Sequence, residues 1–243
     1  MTYTILAADS ESGEVGIGIT TGSINVGGLA PFFSVHGDIA TSQAYARREL
    51  GAVMMRVLNE GGSSADALAA TRTNDGANFK YRQLAVIRRS GELTCHTGTG
   101  CRDWAGHVVG DGWIVLGNSL ASAGVLDAMA QAFRESAGAA LWDRLLRALE
   151  AGRDAGGQSM ADGRHTRERS AAIRVLADNL LPCFDLRVDL HQTAVEEARR
   201  LSKIIAAIET YNRLRGEHPP DTPAILDWES AHLNDPSVPN VLA

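Results

Sequence analysis

The sequence predicts an α+β domain of paired antiparallel sheets with helices on the outside. Three observations predict it: short runs in which apolar and polar residues alternate, turn residues that join those runs in neighbouring pairs, and helix-period segments set between the pairs. The order is strands, two helices, strands, two helices, strands, helix.

Residues 2–8 and 15–21 read as an opening hairpin around Asp9-Ser10-Glu11-Ser12-Gly13, a run of turn-forming residues. Gly16 and Gly18 alternate with Ile17 and Ile19, which strips one face of the second strand. A neighbouring layer or a substrate can then approach its backbone. Residues 23–31 form a glycine-bearing loop, and 32–36 with 38–42 a second hairpin around Gly37. Leu50, Val53, Met54, Val57 and Leu58 recur at helical spacing up to Gly61-Gly62, and Ser64 is expected to cap a second helix. Strands over 81–87 and 93–97 follow, joined at Ser90-Gly91. Gly110-Asp111-Gly112 predicts a tight turn into the strand Trp113-Ile114-Val115-Leu116. Helices are expected over 122–135 and 139–151, and a polar connection over 156–169. Strands 170–176 and 184–189 close the series. Thr193-x-x-Glu196 is a capping box for a last helix through Ala198, Leu201, Ile205, Ile208 and Tyr211. Residues 1–215 are expected as one domain and 216–243 as a tail or arm.

Composition excludes several function classes. The 243 residues are 44% apolar, enough for a sizeable core, and carry a net charge of −6, which disfavours nucleic acid. No apolar run reaches the length of a membrane span, and Met1-Thr2-Tyr3-Thr4-Ile5 lacks the basic start of a signal peptide. Three cysteines, an odd count, fit reduced thiols in the cytoplasm. Neither they nor the seven histidines are spaced as a metal set, so no metal and no cofactor is expected.

Two places carry chemistry. Removal of Met1 by an aminopeptidase leaves Thr2 with a hydroxyl and a free α-amine on one residue. That amine, with a reference pKa near ~8, can take the hydroxyl proton at neutral pH. The second place is Cys95 to Asn118, where His96, Thr97, Cys101, His107, Asp111 and Asn118 are set among glycines and tryptophans. Singly, each residue has an ordinary reading. Asp111 is a turn residue, Trp104 a packing residue, His96 and His107 satisfied structural histidines, and Asn118 a helix cap.

Taken together the stretch resembles the DUF1028 family of bacterial and archaeal proteins, classed with the N-terminal nucleophile (Ntn) hydrolase-like proteins. The matching residues are His96-Thr97-Gly98, Cys101, Trp104-Ala105-Gly106-His107, Gly110-Asp111-Gly112, Trp113 and Gly117-Asn118-Ser119-Leu120. Ser42-Gln43-Ala44, the pair Arg82-Gln83 and Asp185-Leu186-Arg187-Val188-Asp189-Leu190-His191 also follow the family's pattern. The chain departs from it at Gly22, where the family carries a basic residue, and at Arg47-Arg48. Those arginines either receive an acidic substrate or lie on a solvated helix face. Arg187 and Asp189 form either a structural ion pair or a substrate clamp.

The resemblance implies a four-layer αββα sandwich and a hydrolase acting on a C–N bond of a small amide, ureide or cyclic imide. Thr2 is then the nucleophile and its own amine the base. Asn118, or backbone N–H groups near Gly98 or Gly117, hold the oxyanion, and Gln43, Arg82, His96 and Asp111 orient the substrate. A competing route uses Cys101 with His96 or His107 as base. The reading from another class is a non-catalytic small-molecule-binding or assembly protein on the same scaffold. A homo-oligomer is expected, because Trp104 and the tail need cover.

Overall fold

The computed structural model describes residues 1–160 and 162–233. Its strands are β1 (Thr2–Ala8), β2 (Val15–Thr21), β3 (Pro31–Phe33), β4 (Ile39–Ala44), β5 (Arg82–Ile87), β6 (Leu93–Thr97), β7 (Gly106–Gly110), β8 (Trp113–Asn118), β9 (Gln158–Ser159), β10 (His165–Thr166), β11 (Ser170–Leu176) and β12 (Pro182–Val188). Seven α-helices lie among the described residues: α1 (Val26–Leu29), α2 (Arg48–Asn59), α3 (Ser64–Asp75), α4 (Gly124–Glu135), α5 (Leu141–Asp154), α6 (Ala194–Glu217) and α7 (Ile225–His232). The protein is therefore mixed α+β with antiparallel sheets, as the alternating runs predict. The larger sheet runs β12-β11-β2-β1-β8-β7 and the smaller β3-β4-β5-β6.

Strand alternation decides what lies between the sheets. Leu6, Ile17, Ile19, Ile114 and Leu116 of the larger sheet meet Ile39, Ala85 and Ile87 of the smaller one in a single core. Each such fully buried aliphatic side chain stabilises the fold by roughly 1.5–3 kcal/mol. The opposite face of β1 carries Tyr3 and Ile5, and α5 packs on β1 and β2 there. The bare face of β2 serves this helix and not a ligand: a Cβ on Gly16 would sit 2.8 Å from Leu145 Cδ1. Helices α2 and α3 pack on the outer face of the smaller sheet through Met54, Leu58, Ala67 and Leu68. The cap of α3 is Ser63 rather than Ser64: its hydroxyl accepts from the Asp66 N–H, and the Asp66 side chain returns to the Ser63 N–H.

Three elements fall where loops are expected. The loop at 23–31 holds the one-turn helix α1, a 3-10 turn spans Gly76–Tyr81, and the polar connection holds the two-residue pair β9 and β10. The chain divides into a compact unit Met1–Ala198 and a second unit Arg199–Ala243. Within the second, the Tyr211 and Trp228 rings lie 5.3 Å apart and the Tyr211 hydroxyl donates to Pro223 O at 3.1 Å. Of the expected tail, residues 234–243 lie outside the described residues.

Candidate active site

β1 is flanked on both sides, and its first residue is matched to the ends of both neighbours: Thr2 pairs with Thr21 of β2 and with Asn118 of β8. Cross-strand partners share a face, so all three side chains look toward the smaller sheet. The Thr2 hydroxyl lies 3.1 Å from the Thr21 hydroxyl and donates to Met1 O at 2.6 Å. Thr21 also donates to Met1 O.

Below them the apolar core gives way to amides. Thr4 donates to Gln43 Oε1 at 2.7 Å, and Gln43 Nε2 to Gln83 Oε1 at 2.8 Å. Asn118 Nδ2 donates to the same Gln83 oxygen at 2.9 Å. Gln83 Nε2 faces Thr97 Oγ1 at 3.0 Å, Gly106 O at 3.0 Å and Gly117 O at 2.8 Å. Gln43, Gln83 and Asn118 are all buried. A buried amide left unpaired costs about 1–3 kcal/mol, so each is held in place by the others. Asn118 uses one of its two Nδ2 hydrogens on Gln83 and keeps the second.

Two cavities open here. One of 250 Å³ is lined by Met1, Ala44, Tyr45, Arg102, Asn118 and Ser119. The other, of 620 Å³, includes Met1, Arg102, Asp103, Trp104, Ser119 and Met160 in its lining. Met1, Arg102 and Ser119 line both. Burial, and after it the charge of Arg102, hold the Met1 amine below its ordinary pKa. The loop bearing Arg102 is tied to the end of β8 by Ser119 N–H to Arg102 O at 3.0 Å and Leu120 N–H to Trp104 O at 3.0 Å.

The residues singled out from the sequence separate into those at this site and those away from it. Thr2, Asn118 and Gln43 come together. Arg82 does not face the cavity: its guanidinium is paired with the buried Asp75 at 2.7 Å and donates to Tyr45 O, so it fixes the backbone of a lining residue. His96 projects to the far side of the smaller sheet, stacked on Phe79 at 4.0 Å with Nε2 3.2 Å from Phe79 O, and burial lowers its pKa. Asp111 sits in the β7–β8 turn beside Ala8, whose N–H donates to Gly112 O, at the opposite end of the larger sheet. Six strand residues separate that end from Asn118, about 20 Å. Strand alternation thus places His96, and strand length Asp111, away from Thr2 and Asn118.

The cysteine route lacks a base. Cys101 Sγ donates to Arg82 O at 3.4 Å, burial raises its pKa, and His107 Nδ1 instead meets Thr97 Oγ1 at 2.9 Å. Arg47 is held by the buried Asp75 at 3.0 Å, which neither reading foresaw, while Arg48 is exposed; Arg187 is held by Asp189 at 2.9 Å and Asn25 at 2.7 Å, the structural alternative. At Gly22 the backbone N–H donates to Gln158 Oε1 at 2.7 Å, and a Cβ would lie 2.9 Å from Thr166, so β9 and β10 fill the space of the family's basic side chain. Thr21, Gln83, Arg102 and Ser119 were missed as site residues. The signal for Arg102 was its place inside the Cys95–Asn118 stretch, and for Ser119 its place directly after it. Gln83 was read only as half of a matching pair.

Residues 2–198 match a family described as "Family of unknown function (DUF1028)". This chain belongs to the DUF1028 family. A crystal structure of a DUF1028 protein, SPO2555 from Silicibacter pomeroyi, superposes with a TM-score of 0.73 at 31% identity, covering 84% of this chain and 89% of that one. Anbu (ancestral beta-subunit) from Yersinia bercovieri is similar at a TM-score of 0.43 and 10% identity, over 85% of this chain and 96% of that one. No match was found among curated proteins. No described helix is long and apolar enough to cross a membrane, and no cluster of three metal-ligating side chains occurs among the described residues.

Proposed function

We propose that this DUF1028 protein is an Ntn-type amidohydrolase on a four-layer αββα sandwich, cleaving a C–N bond of a small amide, ureide or cyclic imide. The observation that carries the reading is the position of Thr2. Its hydroxyl stands at the end of a central strand, beside Thr21, across from Asn118 and next to the cavities that Met1 lines. With Met1 removed, the Thr2 amine accepts the hydroxyl proton and Oγ1 attacks the substrate carbonyl carbon. The unspent N–H of Asn118 Nδ2 stabilises the oxyanion. The amine returns its proton to the leaving nitrogen as the C–N bond breaks, and water then releases the acyl group from Thr2. Arg102 lines the same cavities as Met1 and is the positive charge at this site in the absence of a basic residue at position 22. Gln43 and Gln83 act through Asn118 by holding its amide. Exposed Trp104 supports association of copies into a homo-oligomer, and the cysteine usage supports a cytoplasmic setting.

The test is intact mass of protein from its own host, followed by amide and ureide turnover in wild type and Thr2→Ala. Loss of one Met and turnover abolished in a folded Thr2→Ala protein are expected. A retained Met1 with full activity in Thr2→Ala removes the mechanism. The glycine at 22 favours the second reading, a ligand-binding protein on the same scaffold. Its mark is tight retention of a small molecule without conversion.

A further inference from the structure

Two groups in the cavity wall stand out among the described residues: a hydroxyl with no hydrogen-bond partner and a guanidinium with no carboxylate. Ser119 is 4% exposed and stands at φ 52, and its Oγ is buried with no hydrogen-bond partner. A non-glycine residue at positive φ is held there by its surroundings rather than by preference. Arg102 donates through Nε to the Tyr45 hydroxyl at 3.1 Å, and its guanidinium lies 5.4 Å from the Tyr45 ring centroid. The Tyr45 ring in turn meets Tyr81 edge-on at 5.7 Å. This aromatic bracket fixes the guanidinium, yet no carboxylate pairs with it among the described residues. Asp103 lines the larger cavity and makes no ion pair with it. Two neighbouring arginines, Arg47 and Arg82, are both spent on Asp75.

Arg102 and Ser119 line the same two cavities and are joined by the Ser119 N–H to Arg102 O bond. A fixed guanidinium without a carboxylate and an orphan hydroxyl in the wall of the same cavities match a carboxylate, which can accept from both. We infer that Arg102 and Ser119 form an anion subsite and that the substrate is a carboxylate-bearing amide or ureide. The inference rests on the cleft named in the proposed function, but not on turnover there. An acidic substrate is thus received at Arg102, one residue past Cys101, and not at Arg47 or Arg48.

Binding of succinamate and of its uncharged analogue succinamide, measured by calorimetry on full-length Thr2→Ala protein, tests the subsite without catalysis. Succinamate is expected to bind roughly tenfold more tightly than succinamide. Arg102→Gln should abolish that preference, Arg102→Lys should restore part of it, and Ser119→Ala should weaken succinamate alone by roughly fivefold. Equal affinity for the two compounds, binding of neither, or a preference that survives Arg102→Gln overturns the inference. If Thr2 proves not to be a nucleophile while the preference persists, the subsite stands and the hydrolase reading falls. Should Arg102→Gln fail to fold, Ser119→Ala and Arg102→Lys give the same discrimination.

Discussion

Gln83→Met tests whether the amide cluster holds the site together. Methionine has nearly the volume of glutamine but donates nothing and accepts only weakly. In the native protein Gln83 Oε1 receives N–H groups from Gln43 and Asn118, while the two Nε2 hydrogens are shared among Thr97 Oγ1, Gly106 O and Gly117 O. Four hydrogens are therefore in play, at about 1 kcal/mol net each. Releasing the glutamine amide from burial returns about 1 kcal/mol, leaving a loss of about 3 kcal/mol. For a chain of this size that lowers Tm by about 6–12 °C. Urea unfolding gives the free energy and calorimetry the temperature. A loss below about 1 kcal/mol, with an unchanged denaturant slope, refutes the reasoning, since the partners would then be satisfied by water.

Other perturbations follow from the same structure. Asp75 is held below the ordinary carboxylate range chiefly by its hydrogen bond to Arg82, so its stabilisation is present above the unfolded carboxylate pKa and is lost as pH falls through the folded value. Asp75→Asn should therefore lower the urea midpoint at pH 7 and flatten its decline between roughly pH 5 and pH 2. Burial pushes the Cys95 thiol to about 11, so at pH 8 roughly one molecule in a thousand carries the thiolate there. Iodoacetamide followed by peptide mass mapping should label exposed Cys183 well before Cys95, and equal labelling would show the core thiol to be reachable. Gly98→Ala puts a Cβ 2.1 Å from Lys80 O, a backbone atom that cannot turn aside. It should cost about 2–4 kcal/mol in the same unfolding assay.

The fold was legible wherever local chemistry decides it. Turn residues located β1, β2 and β6 to the residue, because the runs of Gly, Asp and Ser between strands mark their ends, although β1 and β2 are buried on both faces. The helix α1 and the pair β9 and β10 were not legible: one helical turn and two-residue strands have too little periodicity to read. The site was half legible. Thr2, Asn118 and Gln43 stand at strand ends that the register brings together. His96 and Asp111 lie in the same informative stretch of sequence, but they leave it by face and by distance respectively, and those depend on sheet alignment. Arg102 and Ser119 were hidden for the opposite reason. An arginine in a loop and a serine after an asparagine are commonplace until folding leaves the serine hydroxyl without a partner and the arginine without a carboxylate among the described residues.

Met1 lining both cavities has a practical consequence. Any residues added ahead of it, such as an affinity tag or a fusion partner, must leave the molecule through the opening that a ligand would use. Recombinant protein tagged at the front would carry chain in that opening and have no free Thr2 amine.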